Sequence, residues 1–345
     1  MKELDEAFAM LHRDARAAPA GLADARQRLM DEIDGVRPRR ARRRWAIPVA
    51  AAAGAIALAA AVVVVRTAPS PGEELPLASA PEVLNKAADI TDVGAVDKPI
   101  EPGQYRYVAE RRWITYGVPD GTKKKTIYPY LQEELIERWI PAVPNGIRQI
   151  RRTSIGEPKN LADMPADAGA RIAASRVPDE TRTGRCKNIG APAGPGGIEC
   201  DTLDRFDFYA ALPRDPVQLN KQLDALATQY GPQKPSMMFK AGIDALTRGL
   251  MTAQLRAQWY RALALIPGVR VIERRTTVDG RSGVALGLDD QRERQELVID
   301  MVTGEFIGTR TLAGPQPSNP AIEPGTEIGA STITTSVVST LGATS

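Results

Sequence analysis

Few residues in this 345-residue chain are equipped for chemistry. Its one histidine, His12, lies near the start, and its two cysteines are Cys186 and Cys200. After His12, a metal would need carboxylates and the two cysteines, and neither a Ser-His nor a Cys-His pair can be assembled there. Asp204, Asp207, Asp279 and Asp300 are acidic residues near expected turns, where two carboxyls could share hydrolytic work as acid and base. Such residues are as a rule solvated turn formers, and they are read so here. No GxSxG, Ser-x-x-Lys or phosphate-binding glycine loop occurs. Gly280, Gly283 and Gly287 of GRSGVALG follow one strand and lead into another, without the helix N-terminus of a nucleotide cradle. The expectation is a non-enzymatic protein with no cofactor and no metal site.

What must position the remainder is a membrane. Residues 1 to 44 hold 11 Lys/Arg against 8 Asp/Glu, whereas residues 45 to 345 hold 34 of each, so the net charge of +3 is local to the beginning. A neutral remainder has no field to draw in a polyanion, and the basic run lacks a recognition helix or aromatic platform, so direct nucleic-acid binding is not expected. Arg37, Arg39, Arg40, Arg42, Arg43 and Arg44 instead stand before Trp45 to Val65, 21 positions without a charge. At roughly 1.5 Å per residue that run covers the hydrocarbon thickness of about 30 Å and reads as a transmembrane helix. Six arginines on one flank against Arg66 on the other place the N-terminus in the cytoplasm and the C-terminus outside, with anionic headgroups as a second contact for the arginines. Ala78-Ser79-Ala80 resembles a signal-peptide cleavage site, but the long segment before the span and the distance after it favour an uncut anchor.

The expected organisation is a cytoplasmic tail over 1–44, the span over 45–65, a linker with a short helix over 66–98, and an extracytoplasmic domain over 99–345. In the tail, Leu4, Phe8, Leu11 and Ala15, then Leu22, Leu29 and Ile33, have helical spacing in two short amphipathic stretches. They bury too little to fold alone and are either solvated or await a membrane surface or partner. His12 is read as an exposed residue there. In the linker, Pro81 to Asp89 predicts the short helix.

Outside the membrane, two cysteines are usually bridged. Cys186 and Cys200 flank a stretch carrying Gly190, Pro192, Gly194, Pro195, Gly196 and Gly197, too poor in apolar residues to pack itself, so a structural disulfide is expected. Strand-like runs begin at Gly103, Tyr130 and Gly146, the last two joined by a hairpin signal at Asn145-Gly146. Three helices follow. Asp215-Pro216 opens the first, with Leu219, Leu223, Leu226 and Tyr230 on one face. Ser236 opens the second, with Phe239, Ile243, Leu246 and Leu250. Thr252 caps the third, with Leu255, Trp259, Leu263 and Ile266, and this third helix is expected to be the principal one lying on the sheet. Hairpins at Asp279-Gly280 and Thr303-Gly304 and a terminal strand, TITTSVVST, complete the pattern. Strands, then helices, then hairpins predict an α+β domain with a curved antiparallel sheet and helices on one face.

The segments AR-x-RLM-x-EI, DPVQLNKQL, LRAQWYRALALIPGVRVIERRTTVDGRSGVALGL and ELVIDMVTGEFIGTR resemble an actinobacterial family of anti-sigma-factor-like single-pass membrane proteins whose activity is uncharacterised. The resemblance implies a partner, a sigma factor, at the cytoplasmic tail, and it supplies no site residues. The tail lacks the HxxxCxxC arrangement of zinc-containing anti-sigma domains. ELVIDMVTGEFIGTR is also similar to the IDpxTGxP-type hairpin of lipoprotein-carrier-like domains, curved half-barrels covered by helices, though without the proline after the turn. Two functional expectations follow: a membrane-anchored regulatory or binding module with anti-sigma-like signalling, or an envelope carrier holding a lipid or other apolar ligand.

Overall fold

The computed structural model describes residues 78–94, 97–119, 127–187, 197–231 and 235–345. The chain divides into two compact units, Met1–Pro71 and Gly72–Ser345, and every described residue belongs to the second. The tail, His12, the six arginines, the span and most of the spacer lie outside the described residues. Among the described residues, no helix is long and apolar enough to cross a membrane.

The first described helix, α1 (Ala80–Gly94), is longer than the expected Pro81–Asp89 stretch. The Ser79 backbone N–H donates to Glu82 Oε2 at 2.6 Å, and the Glu82 N–H donates back to Ser79 Oγ at 3.4 Å, a reciprocal cap that starts the helix. Leu84, Ala87, Ala88 and Thr91 make its buried face, and the first three join the main core. Ala78-Ser79-Ala80 thus forms the start of a core helix, and Ala80 itself is buried.

Nine strands follow among the described residues: β1 (Tyr105–Pro119), β2 (Ile127–Pro141), β3 (Arg148–Asn160), β4 (Glu180–Gly184), β5 (Arg270–Val278), β6 (Arg281–Asp289), β7 (Glu293–Ile299), β8 (Phe306–Ala313) and β9 (Glu327–Val338). They form one antiparallel sheet in the order β4-β3-β2-β1-β9-β8-β7-β6-β5. Two meanders therefore lie side by side, and the last strand closes the seam: β9 pairs with β1 from Tyr105↔Val338 to Ile114↔Gly329 and with β8 on its other edge. The Thr/Val run read as a terminal strand is central in space.

The sheet curves strongly at its β5 end. Asp279 and Gly280 turn β5 into β6 with φ of 48° and 76°, as a tight hairpin turn demands. That turn reaches strands that are not its neighbours: Asp279 pairs with Arg111 of β1 at 2.7 Å and accepts from Thr332 of β9 at 3.2 Å. Register shifts on either side of Glu273 allow β5 to bend. Inside the curl, Val278, Ala285, Val298, Ile307 and Ala330 form a separate apolar cluster. Beside it, fully buried Glu296 is held by Arg294 at 2.8 Å and Arg310 at 2.6 Å.

The other face carries the helices. These are α2 (Ala168–Ser175), α3 (Phe206–Ala211), α4 (Pro216–Ala227), α5 (Pro235–Thr247) and α6 (Ala253–Leu263). The expected caps form: Asp215 accepts from the Gln218 N–H and Thr252 from the Leu255 N–H. The assignment of the sheet-facing helix is corrected. It is α5 whose backbone runs against β6 to β9, while α6 packs chiefly on α1 and α4. Small residues are the reason. Ala241, Gly242 and Ala245 on α5 are fully or nearly fully buried together with Phe239 and Ile243, so this helix is covered on several sides. A Cβ at Gly242 would stand 2.4 Å from Leu263 Cδ2, showing how closely α6 presses on it. Trp259 is fully buried, donates from Nε1 to the Gly242 carbonyl at 3.0 Å, and shares the main core with Leu286 and Ile299.

A candidate ligand cleft and a buried charge network

Between the helices and the joined ends of β1 and β9 lies a cleft of about 700 Å³. Its walls come from the end of α1, residues 97–98, Arg106 at the start of β1, Arg256 on α6, the β7–β8 turn and residues 333–336 of β9. Close backbone approach fixes the floor: Gly249, with φ of +64°, leaves no room for a Cβ, which would lie 2.7 Å from Thr335 Cγ2. Asp97 caps α6, both its carboxylate oxygens accepting from the Ala253 N–H at 2.9 Å. Arg106 donates one guanidinium N–H to the Lys98 carbonyl at 3.0 Å. Burial pulls the Arg106 guanidinium below its ordinary value, and nearby Asp97 opposes that shift. Arg281 is paired with Glu305 at 3.2 Å.

Two buried polar atoms of the wall residues have no hydrogen-bond partner among the described residues, Arg106 Nε and Arg256 Nε; Ser336 Oγ also has none, but its side chain alternates to the sheet face of Tyr107 and Val338, away from Thr335 and the cleft. A second cavity of about 370 Å³, walled in part by Pro99, Ile100, Phe206 and Leu250, shares Asp97, Lys98, Arg106 and Met251 with the cleft. The two adjoin at these four residues, the larger with a cationic wall and the smaller with an apolar one.

On the β1–β4 half of the same face is a network of buried charges around a cavity of about 350 Å³. Glu110 accepts from Arg138 at 2.8 Å, Arg138 stands 3.8 Å from Asp204, and Arg248 stands 3.6 Å from Asp204 and 3.5 Å from Asp201. Burial pushes the Glu110 carboxyl up, but Arg138, Arg112 and Arg248 outweigh it and hold the group below its ordinary value. Burial likewise pulls Arg248 down, while Asp204, Glu110 and Asp201 carry it above the usual range. Arg138 and Arg248 thus have carboxylate partners in place.

The expected disulfide is formed: Cys186 and Cys200 are bridged, both buried, with Cα atoms 5.5 Å apart. In the chain-entropy view, closing a loop of this length removes about 3 kcal/mol of unfolded-state freedom. The bridge also fixes the chain immediately before Asp201, whose side chain caps the turn Thr202–Asp204 by accepting from the Leu203 N–H. The covalent link therefore anchors the segment that brings two carboxylates to Arg138 and Arg248.

The four acidic residues singled out in the sequence occupy different surroundings. Asp279 is in the β5–β6 turn with Arg111. Asp300 accepts from the Val302 N–H in the β7–β8 turn. Asp207 pairs with Arg205. Asp204 departs from the expectation of a solvated turn former: it is 8% exposed and belongs to the charge network. Sequence reasoning missed Arg106, Arg256, Glu110, Arg138 and Arg248. The alternating pattern of β1 carried a signal for Glu110, because a carboxylate two positions after buried Val108 points to the same covered face.

No protein-family model matches the chain, and neither does any curated protein. The chain has weak structural similarity to the complex structure of Pseudomonas aeruginosa MucA/MucB, at 12% identity and a TM-score of 0.23, covering 76% of this chain and 58% of that one. It is similar also to MucB in complex with MucA(peri), at 12% identity and a TM-score of 0.21, covering 76% of this chain and 57% of that one. The chain spans less than two thirds of the length of these chains, and a likeness at this level carries no functional argument.

Proposed function

We propose that this chain is a non-catalytic, membrane-anchored module whose folded unit binds a ligand or partner outside the cytoplasm and reports its state to residues 1–44. The observation that carries the binding part is the cleft of about 700 Å³ walled by Arg106 and Arg256, whose buried Nε atoms have no partner among the described residues. Leaving such atoms unmet is unfavourable by about 1–3 kcal/mol each, so a preformed cleft that leaves them open is organised for something that completes them. The Cys186–Cys200 bridge agrees with an oxidising compartment. The arginine run and the apolar stretch of the sequence supply the anchor and its direction.

The tail is the finer part of the reading. Its amphipathic stretches await a partner, and the sequence resemblance makes a sigma factor the first one to test. Affinity isolation of the full chain from cells, with cross-linkers placed in residues 1–36, should recover a sigma factor or polymerase. Recovery of neither, with residues 1–44 intact, would remove the signalling part.

One observation favours the carrier reading as a second: the cavity walled by Pro99, Ile100, Phe206 and Leu250 offers apolar surface to a ligand. Native mass spectrometry of the chain extracted from cells should then show a retained apolar molecule. A chain that carries none and takes up none after delipidation would end that reading.

A further inference from the structure

The two charged cavities differ in the ion pairs of their arginines, although Arg248 Nε at the smaller one also has no hydrogen-bond partner among the described residues. Around the smaller one, Arg138 and Arg248 face Glu110, Asp201 and Asp204, so positive and negative charge are already matched. In the large cleft the balance is open. Arg281 has Glu305, and Asp97 is occupied with the first turn of α6. Arg106 and Arg256 line the cleft with no carboxylate in ion-pair contact among the described residues, and the Nε of each is buried without a partner. Lys98 adds a third cation to the same wall.

We propose that this cleft binds an oxyanion, a phosphate or carboxylate group, carried by a compound whose short apolar portion lies in the adjoining cavity beside Ile100, Phe206 and Leu250. The planar guanidinium fork matches the oxygens of such a group with paired donors, and an anion is the ligand that would offset the charge of two arginines that line the cleft without a carboxylate partner among the described residues. The apolar cavity is about 370 Å³ and adjoins the cationic one at Arg106 and Met251, which places the head and tail of one molecule on the two sides of these residues. Each of the two cavities falls in the size range of small-molecule sites. The proposal rests on the folded unit being a binding module; cross-linking reads the tail and the experiment below reads the cleft, so either can fail alone.

The test is titration calorimetry on the full chain in phosphatidylcholine nanodiscs, with decyl phosphate, inorganic phosphate and decanol as probes. Decyl phosphate should bind once per chain, inorganic phosphate more weakly, and decanol not measurably. Arg106→Gln and Arg256→Gln should each weaken decyl phosphate by roughly tenfold or more, the loss expected for a charge-assisted hydrogen bond. Arg256→Lys, which keeps the charge but not the fork, should weaken binding less than Arg256→Gln. Arg270→Gln, at an exposed pair with Asp289 away from the cleft, should change nothing. Placing phosphatidylglycerol in the disc distinguishes the source: competition with decyl phosphate points to a lipid headgroup, unchanged binding to a soluble compound, and either outcome supports the chemistry. If Arg106→Gln fails to fold, the Arg256→Gln and Arg256→Lys pair decides alone. Absence of decyl phosphate binding, or equal binding by every variant, overturns the proposal.

Discussion

Glu110 shows what one residue does when the chain buries it among arginines. Its carboxyl is held below the ordinary value of 4.5 because Arg138, Arg112 and Arg248 outweigh the effect of burial. A depressed carboxyl contributes stability that is fully present above the ordinary value and is lost as pH falls through the folded one. The chain should therefore hold its urea midpoint from neutrality down to about pH 5 and lose stability below it. Glu110→Gln should lower stability at neutral pH by about 3 kcal/mol, since it leaves Arg138 buried with only a longer contact to Asp204, and should flatten the acid limb. An unchanged midpoint at neutral pH would show that the network adds nothing to stability. At this scale the sequence was partly legible. The cysteine pair could be read because two cysteines flanking a stretch too poor in apolar residues to pack itself have few alternatives to a bridge. The cleft and network arginines could not, because an arginine in a strand or helix looks the same whether it meets solvent or a buried carboxylate.

Among the elements, α1 shows how a helix assigned to a linker becomes part of the core. Thr91 donates from Oγ1 to the Gly304 carbonyl at 2.9 Å, and Tyr260 of α6 donates to the same oxygen at 3.2 Å. The β7–β8 turn is therefore clamped by two helices. Gly304 has φ of +70°, and a Cβ there would stand 2.3 Å from Thr91 Oγ1 and 2.8 Å from the Ala87 carbonyl oxygen. Gly304→Ala should lower stability by roughly 2 kcal/mol or more, through backbone strain and the loss of this contact. Hydrogen exchange should then quicken in α1 before it does in β1 and β2. Exchange that rises uniformly, or not at all, would contradict the clamp. The hairpins, helix caps and apolar faces were legible because each is written within about a dozen neighbouring residues. The role of α5 was not, since Ala241, Gly242 and Ala245 leave no apolar stripe, and their value lies in how close they let other elements come.

For the whole molecule, the α+β class and the antiparallel sheet could be read from the order of strands, helices and hairpins. The closing of that sheet by β9 between β1 and β8 could not, because pairing across more than 200 residues leaves no local mark. The same holds for the cleft, whose walls are assembled from both ends of the described chain. The central claim is that this assembly works outside a membrane while residues 1–44 stay within the cell. It is tested most directly by labelling intact cells with a membrane-impermeant maleimide. The bridged Cys186 and Cys200 should be silent, so single introduced cysteines give a clean signal. Ser70→Cys should be labelled on intact cells, and Ala18→Cys only after lysis. Labelling of Ala18→Cys on intact cells with Ser70→Cys protected, or protection of both until lysis, would contradict the account.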